Sequence, residues 1–202
     1  MITHIIWDWN GTLLDDVSLN LDILNRLRQQ EGLAPLSLAQ YRAAFGFPIR
    51  DFYERIGFDF DKTPYEVLAD RYWALYEQGV KTCPLALDAL RTLAALPCTH
   101  ILLSASPLAA LQAQVAQFPG LVGRFARVLG TDNRLGASKT ALAQGLRAEG
   151  LCPPEEMLVV GDTDHDAATA AVLGCRFVPY AGGHQANNGM SSLWEVTHVI
   201  NV

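Results

Sequence analysis

Apolar positions along this chain fall into two kinds of run, short unbroken ones that stop at a turn and longer ones that recur at helical spacing. Residues 3–8 carry Ile5, Ile6 and Trp7 and stop at Asp8, just ahead of Asn10 and Gly11. That is the pattern of a strand buried on both faces and ending in a turn. Leu19, Ile23, Leu24 and Leu27 then mark one stripe of a helix over 17–31, with Gly32 as its stop signal. From 36 to 80 the spacing is helical throughout. Ser37 is placed to cap a helix reaching 45, Pro48 to open one reaching 56, and Pro64 to open a third whose Val67, Leu68, Tyr72 and Leu75 share a face.

After Cys83 and Pro84 the strands return. Residues 99–104, 126–130, 157–161 and 175–179 read as strands, preceded or separated by helices over 85–95, 107–117, 138–149 and 166–173. Residues 197–200 read as one more edge strand. Continuous apolar strands alternating with amphipathic helices predict an α/β fold with a doubly wound parallel sheet, a Rossmann-like core. The purely helical stretch is then an inserted all-helical domain over 16–81, linkers included, and the core is made of 1–15 and 82–202. The polar stretch 182–192 reads as a loop without a motif.

Composition narrows the function classes. The 202 residues are half apolar and 18% charged, and 15 basic against 21 acidic residues give a net charge of −6. No basic run interrupts that balance, which excludes a nucleic-acid footprint or an anionic-membrane surface as the working partner. No apolar stretch reaches the roughly 18–20 residues of a membrane span, and the first residues show no signal-peptide pattern. A cytoplasmic location is expected. Cys83, Cys98, Cys152 and Cys175 are scattered without a CxxC pair, so they read as buried reduced thiols and not as a zinc site.

Three of the strands end in a small, specific polar group: Asp8 after the first, Ser104 after the second, Asp162 after 157–161. In a doubly wound sheet ligands bind outside the carboxyl ends of the strands, so the three should meet in one crevice. Each has a plain structural reading as well. Asp8 could be a turn residue, Ser104 or Ser106 could begin a helix, Lys139 could be a solvated first-turn residue, and Asp164 and Asp166 could be dipole-compensating charges.

The segment Asp8-Trp9-Asn10-Gly11-Thr12-Leu13, the segment Gly161-Asp162-Thr163-Asp164-His165-Asp166, Ser104 and the intervening Lys139 together resemble the haloacid dehalogenase-like hydrolase superfamily, with the helical insert where that family carries a helical cap. The pattern is most similar to the phosphoglycolate phosphatase-like branch. The resemblance implies a phosphatase acting on a small phosphorylated metabolite, as a monomer or homodimer. Asp8 would be the nucleophile, forming an aspartyl-phosphate. Mg²⁺ would be held by the Asp8 and Asp162 carboxylates and the Asn10 carbonyl, with Asp166 in support. Ser104 and Lys139 would hold the phosphoryl group, with the backbone of Gly11, Thr12 and Ala105 cradling its oxygens. Arg50, early in the insert, stands where relatives place a basic residue that contacts substrate. His165 reads as a neighbour of the metal site, not a ligand.

The chain departs from that pattern at Asn10. Phosphatases of the family usually have a second Asp there, which protonates the leaving oxygen, and an amide cannot do this. General acid–base catalysis of that kind contributes about 10²–10⁴-fold. Asp15 and Asp16 are the nearest carboxylates in sequence, although a surface or capping role suits both. The alternatives are a hydrolase of activated phosphoryl donors, such as acyl phosphates or phosphoanhydrides, or an impaired metal- or phosphate-binding regulator. The dehalogenase branch has an aromatic residue in place of Asn10 and would leave Asp162 and Asp166 without a task. A smaller departure is Thr140 after Lys139, where relatives often have Pro.

Overall fold

The computed structural model describes residues 1–132 and 139–200. Strand β1 (His4–Trp7) is followed by four helices, α1 (Val17–Gln30), α2 (Leu38–Ala44), α3 (Ile49–Arg55) and α4 (Tyr65–Gly79). The rest alternates: α5 (Ala89–Ala95), β2 (Thr99–Pro107), α6 (Leu108–Val115), β3 (Phe125–Thr131), α7 (Thr140–Glu149), β4 (Met157–Gly161), α8 (Asp164–Leu173), β5 (Arg176–Pro179) and α9 (Val196–Val199). The strands form one parallel sheet in the order β3-β2-β1-β4-β5. The strand order reverses at β1, so the crevice of the sheet lies at the carboxyl ends of β1, β2 and β4.

The sheet is parallel because both of its faces are covered. Ile5 and Trp7 of β1, Leu102 of β2, and Leu158 and Val160 of β4 point into one apolar cluster. The alternate residues Ile6, Ile101, Leu103, Met157 and Val159 point into a second, closed by Ala143 and Leu146 of α7 and Ala170 and Leu173 of α8. Period-two alternation with apolar residues on both sides gives the unbroken runs seen in the sequence.

The first cluster continues into the helical layer through Leu24, Tyr41, Phe52 and Leu68. The chain leaving the sheet and the chain returning to it are tied together. The Asp15 N–H donates to the Pro84 carbonyl at 3.0 Å, and the Ala86 N–H to the Leu13 carbonyl at 2.9 Å. Ser37 caps α2 as expected, its hydroxyl accepting from the Gln40 N–H while the Gln40 side chain accepts from the Ser37 N–H.

Several local expectations are corrected. Residues 197–200 fall in and beside the short helix α9, not in a strand. Val196 and Ile200, one turn apart, are buried in the first cluster, and Ser192 and Glu195 cap the preceding turn. Helix α5 starts only at Ala89, because Leu85 bridges Leu14 and Asp88 adopts a left-handed φ of 66°. In α4 the inward face runs through Leu68, Ala69 and Tyr76, leaving Val67 39% exposed. Ser138, expected to open α7, lies outside the described residues. The four cysteines are free and half-buried. Among the described residues no helix is long and apolar enough to cross a membrane.

Candidate active site

Asp8, one residue beyond β1, and Asp162, one beyond β4, sit on adjacent strands whose pairing aligns Trp7 with Val160. Asp166 follows one turn into α8, where its carboxylate accepts from the Thr163 N–H at 3.1 Å and the Thr163 hydroxyl at 2.7 Å. Carboxylate oxygens of Asp8, Asp162 and Asp166, all buried, lie within 4.8 Å of one another. The Thr12 hydroxyl bridges two of them, at 3.2 Å from Asp8 Oδ2 and 3.1 Å from Asp162 Oδ1. Lys139, 4% exposed, reaches the cluster from just ahead of α7. Its Nζ donates to Asp8 Oδ1 and Asp166 Oδ1. Burial works against the ammonium, but Asp166 and Asp8 together outweigh it and hold the Lys139 pKa above its ordinary value.

Three buried carboxylates against one ammonium leave an excess of negative charge at the strand ends. Burial pushes the Asp8 pKa well above the usual carboxylate value; Lys139 opposes this, and Asp166 and Asp162 add to it. Burial likewise raises Asp162, against the nearby His184. Clustered oxygen donors with uncompensated charge fit a hard divalent cation.

Asn10 takes up the space between the carboxylates and the helical layer. Its Oδ1 accepts from the Ser106 hydroxyl at 2.8 Å and from the Ser104 hydroxyl at 3.4 Å. Its Nδ2 donates to Asp16 Oδ2 at 2.9 Å and to the Tyr76 hydroxyl at 2.6 Å. Ser106 therefore works as a partner of Asn10, and the residue preceding α6 is Pro107. Asp16 is not a surface or capping residue. It is 1% exposed, its side chain makes no cap bond to α1, and it also accepts from the Tyr76 hydroxyl at 2.7 Å and the Gly11 N–H at 2.9 Å. Asp15 beside it is exposed.

Two expected site features do not form as predicted. The Gly11 and Thr12 amides are spent inside their own turn, on Leu14, Asp16 and Trp9, so they are not an open cradle for phosphate. Gly11 is required for another reason: at φ +74° it presses against the Asp162 and His184 side chains, where a Cβ would collide. Arg50 stays outside the crevice. Its side chain is 53% exposed, pairs with Glu54, and lies over the Phe60 ring at 4.8 Å. Ser104 and Ala105 do line the cavity. His165 is half-buried, accepts the Lys139 N–H at 3.3 Å and lies against Phe47, apart from the carboxylate cluster.

A family model described as haloacid dehalogenase-like hydrolase matches residues 2–174. The chain belongs to this family. A phosphoglycolate phosphatase of Cereibacter sphaeroides is 30% identical over 190 residues, covering 90% of this chain and 86% of its own. One of Rhodobacter capsulatus is 27% identical over 192 residues, covering 92% and 87%. The fold is shared with a haloacid dehalogenase-like protein of unknown function from Agrobacterium tumefaciens, with TM-score 0.80, 18% identity and coverage of 100% of this chain and 98% of that one. A haloacid dehalogenase-like hydrolase from Streptococcus pneumoniae also shares it, with TM-score 0.78, 18% identity and 98% coverage of each chain.

In this haloacid dehalogenase-like hydrolase the loop after β5 supplies a residue that the sequence reading passed over. His184 is 4% exposed. Its N–H donates to Asp162 Oδ2 at 2.5 Å, its Nε2 is 3.1 Å from Asp16 Oδ1, and its Nδ1 is 2.7 Å from the Tyr41 hydroxyl. Gly183 must be glycine, since a Cβ there would lie 2.1 Å from Asp162 Oδ2. The signal was present: Gly182-Gly183-His184 follows the carboxyl end of a parallel strand, the same position that singled out Asp8 and Asp162.

These charges set a pH dependence. Burial opposes a charged His184, but Asp16 outweighs it and raises the pKa to about 8. Burial likewise opposes ionisation of Asp16, and His184 with the bonds from Tyr76 and Asn10 outweighs that and lowers its pKa. A raised histidine pKa gives stability that is complete below the unfolded value near 6.5 and lost as pH passes 8. Raised carboxylate pKa values at Asp8 and Asp162 act in the same direction, since the folded state holds protons that the unfolded state has released. The EDTA-treated protein should therefore melt progressively lower from pH 6 to pH 9. His184 alone accounts for about 2 kcal/mol, or roughly 4–8 °C. Thermal melts across that range check this; a midpoint that rises with pH would contradict it.

Proposed function

We propose that this chain is a Mg²⁺-dependent phosphomonoester hydrolase that works through an aspartyl-phosphate on Asp8. The observation that carries this is the Asp8–Asp162–Asp166 cluster with Lys139 bonded to its nucleophile, in a chain whose curated relatives bear the name phosphoglycolate phosphatase. Helices α1–α4, within the 16–81 insert, act as the cap over this site.

An Asp8 carboxylate oxygen attacks phosphorus while the bond to the leaving oxygen breaks, and water then attacks the aspartyl-phosphate to release inorganic phosphate and regenerate Asp8. Asp8, Asp162 and the Asn10 backbone carbonyl, with Asp166 in support, would hold Mg²⁺, which when bound would supply charge neutralisation and orientation of the phosphoryl oxygens. Lys139 favours the ionised form of Asp8 against the effect of burial and adds positive charge where the equatorial oxygens gather. The Ser104 hydroxyl, beside the cavity, donates to one of those oxygens. Thr12 fixes the relative orientation of Asp8 and Asp162.

The proton for the leaving oxygen is the step that Asn10 cannot perform. Asp16, the nearest carboxylate, is held ionised by His184 and so cannot supply it either. The intact site therefore favours esters with good leaving groups. This also keeps activated phosphoryl donors, acyl phosphates and phosphoanhydrides, as a second reading supported by Asn10 itself. The test is turnover of p-nitrophenyl phosphate, acetyl phosphate and alkyl phosphates with Mg²⁺, together with acid-quench trapping of a phosphoprotein. No hydrolysis of any of them and no trapped phosphoprotein would refute the proposal.

Asn10 and Asp16 also set the outcome of restoring the missing acid. Asn10→Asp alone places two carboxylates where a 2.9 Å amide–carboxylate bond now stands, and should cost roughly 1–3 kcal/mol of stability at pH 8. Exchanging both, Asn10→Asp with Asp16→Asn, removes the repulsion. That double variant should melt higher than the single one and cleave alkyl phosphates up to ~10²-fold faster than the native chain. Melting curves and kcat/KM for alkyl esters of all three proteins check it; a single variant as stable as the native chain would show that the two positions do not share charge.

A further inference from the structure

The cap side of the cavity holds information about what leaves. Running from Asp8, Lys139 and Ser104 up to the helical layer, the cavity measures about 150 Å³. Its upper walls are Phe45, Phe47, Phe52, Tyr53, Tyr65 and Trp73, with Leu24 and Ile49 between them. Among the described residues that line it, Lys139 and His184 are the only cationic side chains, and neither faces the cap walls unpaired. Lys139 is bonded to Asp8 and Asp166, and His184 to Asp16. The arginines of the helical layer near it are spent elsewhere: Arg42 on the Gly182 and Gly183 carbonyls, Arg55 on the Ala44 carbonyl, Arg50 on Glu54 and the Phe60 ring. Two of the polar tips within the cavity are paired, the Tyr72 hydroxyl donating to Asn20 and the Tyr76 hydroxyl to Asp16.

From this we infer that the cap pocket selects an uncharged, ring-bearing leaving group, so that the substrate is a phosphomonoester of an aromatic or similarly apolar alcohol and not of a hydroxy acid. The inference rests on the phosphatase reading and adds the substrate class. A carboxylate on the leaving group would be stripped of water against aromatic walls, with the Asp16 carboxylate near and no unpaired cation among the described residues that line the cavity, which is a costly way to bury a charge. An aromatic ring in the same place exchanges water for ring edges and faces.

Benzyl phosphate and phosphoglycolate, both esters of primary alcohols, compare the two classes without a large change in leaving-group chemistry, and p-nitrophenyl phosphate serves as the control for phosphatase activity. With Mg²⁺ and the full chain, kcat/KM for benzyl phosphate should exceed that for phosphoglycolate by roughly 10²-fold. Ile49→Arg, which supplies a cation at the half-buried start of α3, should narrow or reverse that ratio. Binding of the non-hydrolysable benzylphosphonate and phosphonoacetate, measured by calorimetry with Mg²⁺, gives the same ranking without turnover. Equal or better use of phosphoglycolate, or tighter binding of phosphonoacetate, overturns the substrate class while leaving the phosphatase reading intact. Absence of p-nitrophenyl phosphate hydrolysis counts against the phosphatase reading, and the phosphonate ranking then decides the pocket by itself.

Discussion

Asp8→Asn should abolish turnover of every phosphate ester while leaving a folded protein. The amide has the size of the carboxylate but cannot attack phosphorus, so the loss should reach about 10⁴-fold or more, the scale seen when an enzyme loses its nucleophile. The fold should survive because Asp8 contributes charge, not apolar packing. Its carboxylate is one of three in a buried cluster, and burial already pushes its pKa up. Removing one negative charge from that cluster relieves repulsion on Asp162 and Asp166, and Lys139 keeps Asp166 as partner. The metal-free variant should therefore melt no lower than the native metal-free protein, and its dependence on pH between 6 and 9 should be shallower. Activity, circular dichroism and melting curves measured together check all three points. A folded variant that retains more than a few per cent of native activity would show that another residue is the nucleophile.

Withdrawing divalent metal should be nearly as severe. Protein treated with EDTA should lose on the order of 10³-fold in rate with p-nitrophenyl phosphate, since a metal ion that stabilises phosphoryl charge contributes several kcal/mol. The reason lies in the count of charges. Lys139 offsets one carboxylate of three, and the attacking anion must approach a substrate that is itself an anion. Readdition of Mg²⁺ should restore the rate and raise the melting temperature, with the larger increase at pH 8, where the empty carboxylates repel each other most, than at pH 5. An undiminished rate after EDTA treatment would remove the metal from the mechanism.

Much of this was legible in the residue order. The runs within 3–8 and 157–161 could be read as strands because both faces of the sheet are buried and each run is unbroken, and the polar residue closing each run marked the crevice. Helix α2 could be placed from Ser37, whose capping bonds, made with Gln40, are local. The reading failed where a residue's role depends on a partner remote in sequence. Val196 and Ile200 look β-like by type, yet their burial at one-turn spacing makes them helical. Arg50 has the chemistry to bind an anion, but its neighbours Glu54 and Phe60 hold it outside. Asp16 looks like a helix cap from its position, and only the arrival of His184 from 168 residues away makes it half of a buried ion pair.

By itself the sequence determined the parallel α/β core and the strand-end residues Asp8, Ser104 and Asp162, because these follow from local periodicity and from strand ends that open on the same edge of the sheet, whereas Lys139 and Asp166 were singled out by the family resemblance. Tertiary structure alone decided which partners Asn10 takes, which charges cancel, and which side chains line the cavity above the strand ends. Those properties arise where the loop after β5 and the aromatic faces of α2, α3 and α4 close over the strand ends, and burial there turns ordinary side chains into paired charges and apolar walls.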